Sequence, residues 1–335
     1  MASVRLATRG SPLARWQAAR VATLVAGLAG SAECELVVIQ TTGDRLSEVP
    51  VDKLGGQGAF VTEVQEAVRA GRADIAVHSA KDLPSTTPAG LVLGCIPERA
   101  DPRDALVGSR LDDLKPGATV ATGSVRRRAQ LAWLRPDLTF VELRGNMARR
   151  LERAAKEGAG VVAVAALERL GLMGEVADVL DTGTLLPQVA QGALAVECRE
   201  DDTETRALLA AINDAVAERA VTAERAFLAA LGSGCSLPVG ALASPSGFAA
   251  ATSSAPVGGG RVGGQIGMEP GTGTGTGTGG MALEGMLASR DGRILLRRRL
   301  AGDDPVELGR RLAADLLERG GRTLDDWSFA DEASR

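Results

Sequence analysis

Tyrosine is absent from this 335-residue chain, and five phenylalanines and three tryptophans are all that stand in for it. Surfaces that hold bases or sugars are built on aromatic platforms, so such platforms have little to be made from here. The chain has one histidine, His78. That excludes a two-histidine metal site and leaves a single imidazole for acid–base work. Lysine is scarce too: four of the 38 basic residues are lysine and the rest are arginine. Basic residues do not outnumber acidic ones, since the net charge is −4. An acidic chain argues against a general binder of nucleic acid or anionic membrane. No apolar run reaches the roughly 20 residues of a membrane span. The opening stretch MASVRLATRGSPLARWQAAR lacks the apolar core of an export signal, so a cytoplasmic location is expected. Cysteines stand at 34, 95, 198 and 235 with no zinc-like spacing, so free thiols and no metal are expected.

What is present is an alternation of short apolar runs and helical patterns. VRLAT (4–8), CELVVIQT and ADIAVHS read as strands. Between them lie two helical patterns. One is capped by Ser11 with Pro12 at its first position and closes near Gly30; the other ends at Gly71. A second alternation of similar size follows Asp104, and GALAVECRE near 193–200 reads as a strand returning to the first. The pattern predicts an α/β fold with mostly parallel sheets. We expect two similar α/β domains, 1–97 with 193–213 and 98–192, with a cleft between them. A smaller α+β domain over 214–335 holds a hairpin around Asp291–Gly292 and a final amphipathic helix. The Gly/Thr-rich tract near 250–280 cannot bury a core and is expected to be a disordered insertion.

Polar chemistry gathers where strands end. In AVHSAKDLPS the strand stops and His78, Ser79, Lys81 and Asp82 follow at once. Strand ends of this kind line the ligand crevice of open α/β sheets. ATGSVRRRAQ makes a turn at Thr122-Gly123-Ser124 and then opens a helix with Arg126 and Arg127 in its first turn. Cations oppose the helix dipole there, and a bound anion would resolve the conflict. LRGNMARRL repeats the arrangement with Arg144, Asn146, Arg149 and Arg150, and ATRGS does so with Arg9 and Ser11. Three junctions bearing arginine in an acidic chain imply small polycarboxylates or phosphates as ligands, because the planar fork grips carboxylates bidentately.

Seven segments taken in order, ATRGSPLARWQA, DIAVHSAKDLP, RADPRDALV, LRGNMARRL, LPQVAQGALAVECR, VTAERAFL and GSGCSLPVG, resemble the porphobilinogen deaminase (hydroxymethylbilane synthase) family over residues 4 to about 240. The resemblance implies an enzyme of tetrapyrrole (heme) biosynthesis. Four porphobilinogen molecules condense stepwise, each losing ammonia, and water releases hydroxymethylbilane. It also implies a dipyrromethane cofactor, one per chain, held by a thioether at Cys235. Such a link needs only an accessible thiolate, and the glycines and proline around Cys235 mark an accessible loop. Asp82 matches the catalytic aspartate. Lys81, Asp82, Thr122, Ser124, Arg126, Arg127, Arg144 and Gln191 match cofactor contacts. Arg9, Ser11, Arg150 and Arg169 match contacts to substrate carboxylates. His78 is expected to support the site by hydrogen bonding. A monomer is expected, with porphobilinogen as its only partner.

Two positions depart from the family's pattern, Gln57 where lysine is common and Thr42 where arginine is common. Each removes a positive charge, so weaker substrate contacts are expected there. Two other readings compete. A non-catalytic polycarboxylate binder of periplasmic-binding-protein type explains the arginines but not Cys235. An enzyme with Cys235 as turnover nucleophile and His78 as base matches no local signature.

Overall fold

The computed structural model describes residues 3–28, 33–45, 60–232, 237–245 and 280–324. Gln57, Cys235 and the Gly/Thr-rich tract lie outside the described residues. In chain order, β1 (Ser3–Arg9) leads through Ser11 and Pro12 into α1 (Pro12–Ala26). The Ser11 hydroxyl accepts from the Ala14 N–H at 3.3 Å, as an N-cap should. The helix ends at Gly27, three residues before the glycine that the sequence suggests. Next come β2 (Glu33–Ile39), the single turn α2 (Thr42–Arg45), α3 (Thr62–Arg69), β3 (Ile75–Ser79) and β4 (Leu91–Cys95). The second alternation is β5 (Asp104–Val107), β6 (Thr119–Ala121), α4 (Val125–Leu134), β7 (Thr139–Val141), α5 (Met147–Glu157), β8 (Gly160–Ala163), α6 (Val164–Arg169) and β9 (Val176–Leu180). The apolar run GVVAVAA is therefore strand only as far as Ala163. It then continues as helix, a boundary that composition does not mark. The rest is β10 (Leu194–Arg199), α7 (Thr203–Ala210), α8 (Ala215–Ala230), the strands β11 (Val239–Pro245), β12 (Met281–Ala288) and β13 (Leu295–Gly302), and α9 (Pro305–Glu318).

The chain forms two compact units, 1–102 with 165–174 and 191–218, and 103–164 with 175–190 and 219–335. The first holds a five-stranded sheet in the order β2-β1-β3-β10-β4. β1 pairs in parallel with β2 and β3, but β10 is antiparallel to both β3 and β4. The second holds a sheet in the order β7-β6-β8-β5-β9, again parallel on one side and antiparallel on the other. The mostly parallel sheets expected are found, four strands of each running the same way and one running against them. In each sheet one strand distant in sequence, β10 or β5, is inserted against the local βαβ pattern.

The core of the first unit is Val4, Leu6, Ile75, Val77, Val196 and Leu209 packed beneath Ala18, Val21 and Val25 of α1. In the second unit Leu106, Val120, Leu131, Val161 and Leu185 do the same work. Also in the second unit, the antiparallel sheet β11-β12-β13 packs on α4 through Ala129, Leu186, Met286 and Ala288. Its β12–β13 turn carries Gly292 at φ +70, the left-handed conformation a tight hairpin requires.

At one edge of the first unit Asp74 accepts from the Arg5 backbone N–H at 2.9 Å and from its guanidinium at 2.8 and 3.1 Å. Burial acts to raise the Asp74 pKa, but these bonds and the nearby Arg199 outweigh it and hold the carboxyl below its ordinary value. A group lowered in this way adds stability that is present above the unfolded value of about 3.9 and is lost as pH falls through the folded value. In urea titrations the midpoint gap between wild type and Asp74→Asn is expected to be constant above about pH 5 and to close below about pH 4. A gap that does not change with pH would remove this carboxylate from the acid response.

Candidate functional site

The polar groups predicted at strand ends are placed by the ends of β1, β3 and β6. In the first unit β3 runs directly into a 3₁₀ turn, Ala80–Asp82. The turn is fixed at both sides. Ala80 is buried and its N–H donates to the Ala193 carbonyl at 3.0 Å, and the next residue after Asp82, Leu83, is buried as well. Asp82 is thus presented half-buried on a rigid backbone, with Lys81 beside it.

Lys81 donates to the Gln191 side-chain oxygen at 3.2 Å. Gln191 is almost wholly buried and donates in turn to the Pro102 carbonyl at 2.8 Å. Arg99 donates to the Gln191 carbonyl at 2.9 Å, so both ends of this residue are held. Gly192 follows at φ +87, and a Cβ there would collide with the Ala100 carbonyl oxygen. No other residue type fits that position without moving the 99–102 segment.

Arg169, at the end of α6, donates to the Gly192 carbonyl at 2.6 Å and lies over the Trp16 ring, 5.7 Å from its centroid. Burial pushes the Arg169 pKa down to about 10, and the nearby Glu168 opposes that shift. No carboxylate lies within ion-pair distance of it among the described residues. A partly desolvated cation with no ion pair among the described residues would favour an anion beside it. Arg9, at the end of β1, lies over the Phe60 ring at 4.3 Å, and Ser11 caps the helix that follows.

His78 is buried, with its Nε2 3.2 Å from Glu197 Oε2 on the neighbouring strand β10. Gln65 of α3 donates to the same carboxylate at 2.8 Å. The imidazole is enclosed on β3, the strand that leads into the Asp82 turn, which suits a supporting role. Thr42 sits at the start of α2, where its N–H and hydroxyl both donate to Glu63 at 2.7 and 2.6 Å. The residue that replaces an expected arginine therefore joins α2 to α3.

In the second unit Ser124 caps α4 by accepting from the Arg127 N–H at 3.4 Å, and Thr122 Oγ1 accepts from the Ser124 N–H at 3.3 Å. Arg126 and Arg127 are buried, and their anion is in the chain itself. Asp104 of β5, with no exposed surface, accepts from Arg126 at 2.8 Å and from Arg127 at 2.7 and 3.1 Å. An internal carboxylate thus eases the conflict for which a bound anion is the expected resolution. The same arginines also donate to the Leu186 and Val161 carbonyls at 2.6 and 2.9 Å. Arg144 pairs with Glu142 at 2.6 Å, and Arg150 donates to the Gly145 carbonyl at 2.9 Å from the first turn of α5.

Reading the sequence missed Asp104 and Glu224, although both lie inside the segments quoted above. Glu224 of α8 is fully buried and accepts from the Ala190 N–H at 2.6 Å and the Ala243 N–H at 2.9 Å. Ala190 is the one non-glycine residue with positive φ, +59, among the described residues, and it immediately precedes Gln191. A buried acid in an apolar helix pattern was the available signal for Glu224.

A polyanionic pyrrole cofactor fits this donor set. It needs cations for its carboxylates and one carboxylate for its pyrrole N–H groups. The first unit offers Arg169, with no ion pair among the described residues, and Asp82 on a fixed turn; the second offers Arg126 and Arg127 at the start of α4. Among the described residues no cluster of His, Cys, Asp and Glu could hold a metal, and no helix is long and apolar enough to cross a membrane.

Comparison with known proteins gives a consistent result. The family profile for "Porphobilinogen deaminase, dipyromethane cofactor binding domain" matches residues 4–207, and that for the C-terminal domain matches 218–248. The porphobilinogen deaminase of Roseiflexus sp. (strain RS-1) is 45% identical over 85% of this chain and 86% of its own. That of Syntrophus aciditrophicus is 39% identical over 96% and 97%, and that of Bacillus subtilis is 38% identical over 97% and 96%. Among solved structures the methionine binding protein MetQ aligns with a TM-score of 0.40 at 15% identity, covering 64% of this chain and 92% of its own. That likeness is too distant to bear on function. The matches in sequence run through both units and through the segments that place Asp82, Gln191 and Arg169, and on that ground the chain belongs to the porphobilinogen deaminase family.

Proposed function

We propose that this chain catalyses the stepwise, deaminating condensation of four porphobilinogen molecules into hydroxymethylbilane, as a step in tetrapyrrole biosynthesis. The observation that carries the reading is the first-unit arrangement: Asp82 on a pinned turn, beside Lys81 held by Gln191, in a unit that also holds Arg169 with no ion pair among the described residues. Dipyrromethane, attached through Cys235, supplies the pyrrole chain on which the product is built. Lys81, Thr122, Ser124, Arg144 and Gln191 hold it together with Asp82. Arg126 and Arg127 add positive charge for it at the start of α4.

Arg9, Ser11, Arg150 and Arg169 bind the acetate and propionate groups of porphobilinogen. The Asp82 carboxylate accepts hydrogen bonds from a pyrrole N–H and stabilises the positive charge that develops as ammonia leaves. A fixed anion placed where charge develops lowers the barrier without reorganisation during the reaction. Three domains serve this function: 1–97 with 193–213, 98–192, and 214–335 carrying the cysteine. The separate three-stranded sheet β11-β12-β13 supports the last division. The protein works as a monomer in the cytoplasm, on porphobilinogen and not on nucleic acid or membrane.

The test is the intact mass of the purified, denatured protein beside Cys235→Ala. Two linked pyrrole units are expected on the wild type and none on the variant. If the wild type is bare, incubation with porphobilinogen is expected to add them. A chain that stays bare would overturn the reading in favour of a binding protein. Native alkylation gives a second readout. Burial pushes the Cys95 and Cys198 thiols up to about 12 and about 11, so neither offers a thiolate near pH 8. Iodoacetamide is expected to spare Cys235 in the loaded protein and to modify it in the bare one. Modification of Cys235 in the loaded protein would show that its sulfur is not the attachment point.

A further inference from the structure

Trp16 is a large apolar side chain left 40% exposed on α1, in a protein with three tryptophans and no tyrosine. One contact accounts for its placement: the guanidinium of Arg169 lies over the ring, 5.7 Å from the centroid. That distance is within the range in which the negative face of an indole attracts a cation. Among the described residues the only hydrogen bond of Arg169 is the one from Nη2 to the Gly192 carbonyl, at 2.6 Å. A guanidinium has five N–H donors in a fixed plane. One bond at one corner leaves that plane free to rotate, and no carboxylate among the described residues holds it. The indole supplies the second constraint. The ring attracts the cation from one side, and the N–H groups that make no hydrogen bond among the described residues are available for a bidentate carboxylate. A leucine in its place would fill space but could not orient a cation.

We propose that Trp16 is a positioning residue, which holds the Arg169 guanidinium in the plane that receives a carboxylate of porphobilinogen. The proposal rests on the reading of Arg169 as a substrate contact. The ring acts on substrate binding and not on the chemical step, so its loss belongs in KM. Trp16→Leu is expected to raise KM for porphobilinogen about tenfold, the change that about 1.4 kcal/mol produces, with kcat little altered. Trp16→Phe keeps a π face and is expected to restore most of the loss.

A double-mutant cycle with Arg169→Leu separates this role from a merely structural one. If Trp16 acts through Arg169, then adding Trp16→Leu to Arg169→Leu costs nothing further in kcat/KM. A readout independent of turnover is Trp16 emission in a Trp133→Phe/Trp327→Phe background, followed by stopped flow as porphobilinogen is added to the holoenzyme. A rapid change in emission is expected, and Arg169→Leu is expected to abolish it. Additive losses in the cycle, or an emission change that persists without Arg169, would overturn the proposal while wild-type turnover leaves the enzymatic reading intact. A wild type that consumes no porphobilinogen would sink both.

Discussion

Asp82→Asn is expected to carry the covalent cofactor at wild-type level and to lose turnover of porphobilinogen by about 10²–10³-fold, the range for removing one preorganised electrostatic group. The substitution isolates charge from shape. Asparagine keeps the size of the side chain and one oxygen acceptor, but it cannot offset a positive charge. The backbone around it is secured independently of the side chain, by the Ala80 N–H on the Ala193 carbonyl at 3.0 Å and by buried Ala80 and Leu83. A fall in kcat with normal cofactor mass and an unchanged melting temperature would place the carboxylate in the reaction. Near wild-type kcat would remove Asp82 from it. Loss of the cofactor mass instead would make Asp82 part of the attachment and not of the elongation.

Asp104→Asn is expected to be the most destabilising single change in the second unit. The carboxylate is fully buried and serves two buried arginines at 2.7–3.1 Å. Removing one member of a buried ionic group strands the others without counter-charge, at a cost of about 3–5 kcal/mol. For a domain of this size that is a fall of roughly 10 °C in Tm. The same stranded charge faces the N-terminus of α4, whose dipole adds to the repulsion. Replacing Arg126, Arg127 and Asp104 together with apolar residues of similar volume is expected to cost less than the single change, because no uncompensated charge remains. A Tm within about 2 °C of wild type for Asp104→Asn would mean that solvent reaches the group and screens it.

Much of the architecture could be read in the chain before any coordinates. Ser11 with Pro12 and Asn146 each start a helix, and the reason is local, a side-chain oxygen meeting a free N–H in the first turn. The alternation of strands and helices, the hairpin at Asp291–Gly292 and the clustering of polar groups after β3 and β6 follow from periodicity and turn chemistry alone. Asp82, Lys81, Gln191 and the arginines are recognisable because they sit in short segments of distinctive composition. Cys235 stands out for the same reason, between glycine and proline.

Other features depend on residues far apart in sequence, and no local pattern encodes them. β10 enters the first sheet antiparallel because its partners are β3 and β4, more than ninety residues earlier. Nothing in the sequence near α4 shows that Arg126 and Arg127 meet a carboxylate of the chain itself, Asp104, which lies 22 residues before Arg126. Arg169 and Trp16 are unremarkable separately and become a pair only when α6 and α1 are brought together within the first unit. Sequence by itself determined the elements, their caps and the identity of the reactive side chains, since those rest on interactions within a few residues. Tertiary structure alone decided which charges are already neutralised and which await a ligand, because burial and pairing are properties of what a side chain faces across the fold.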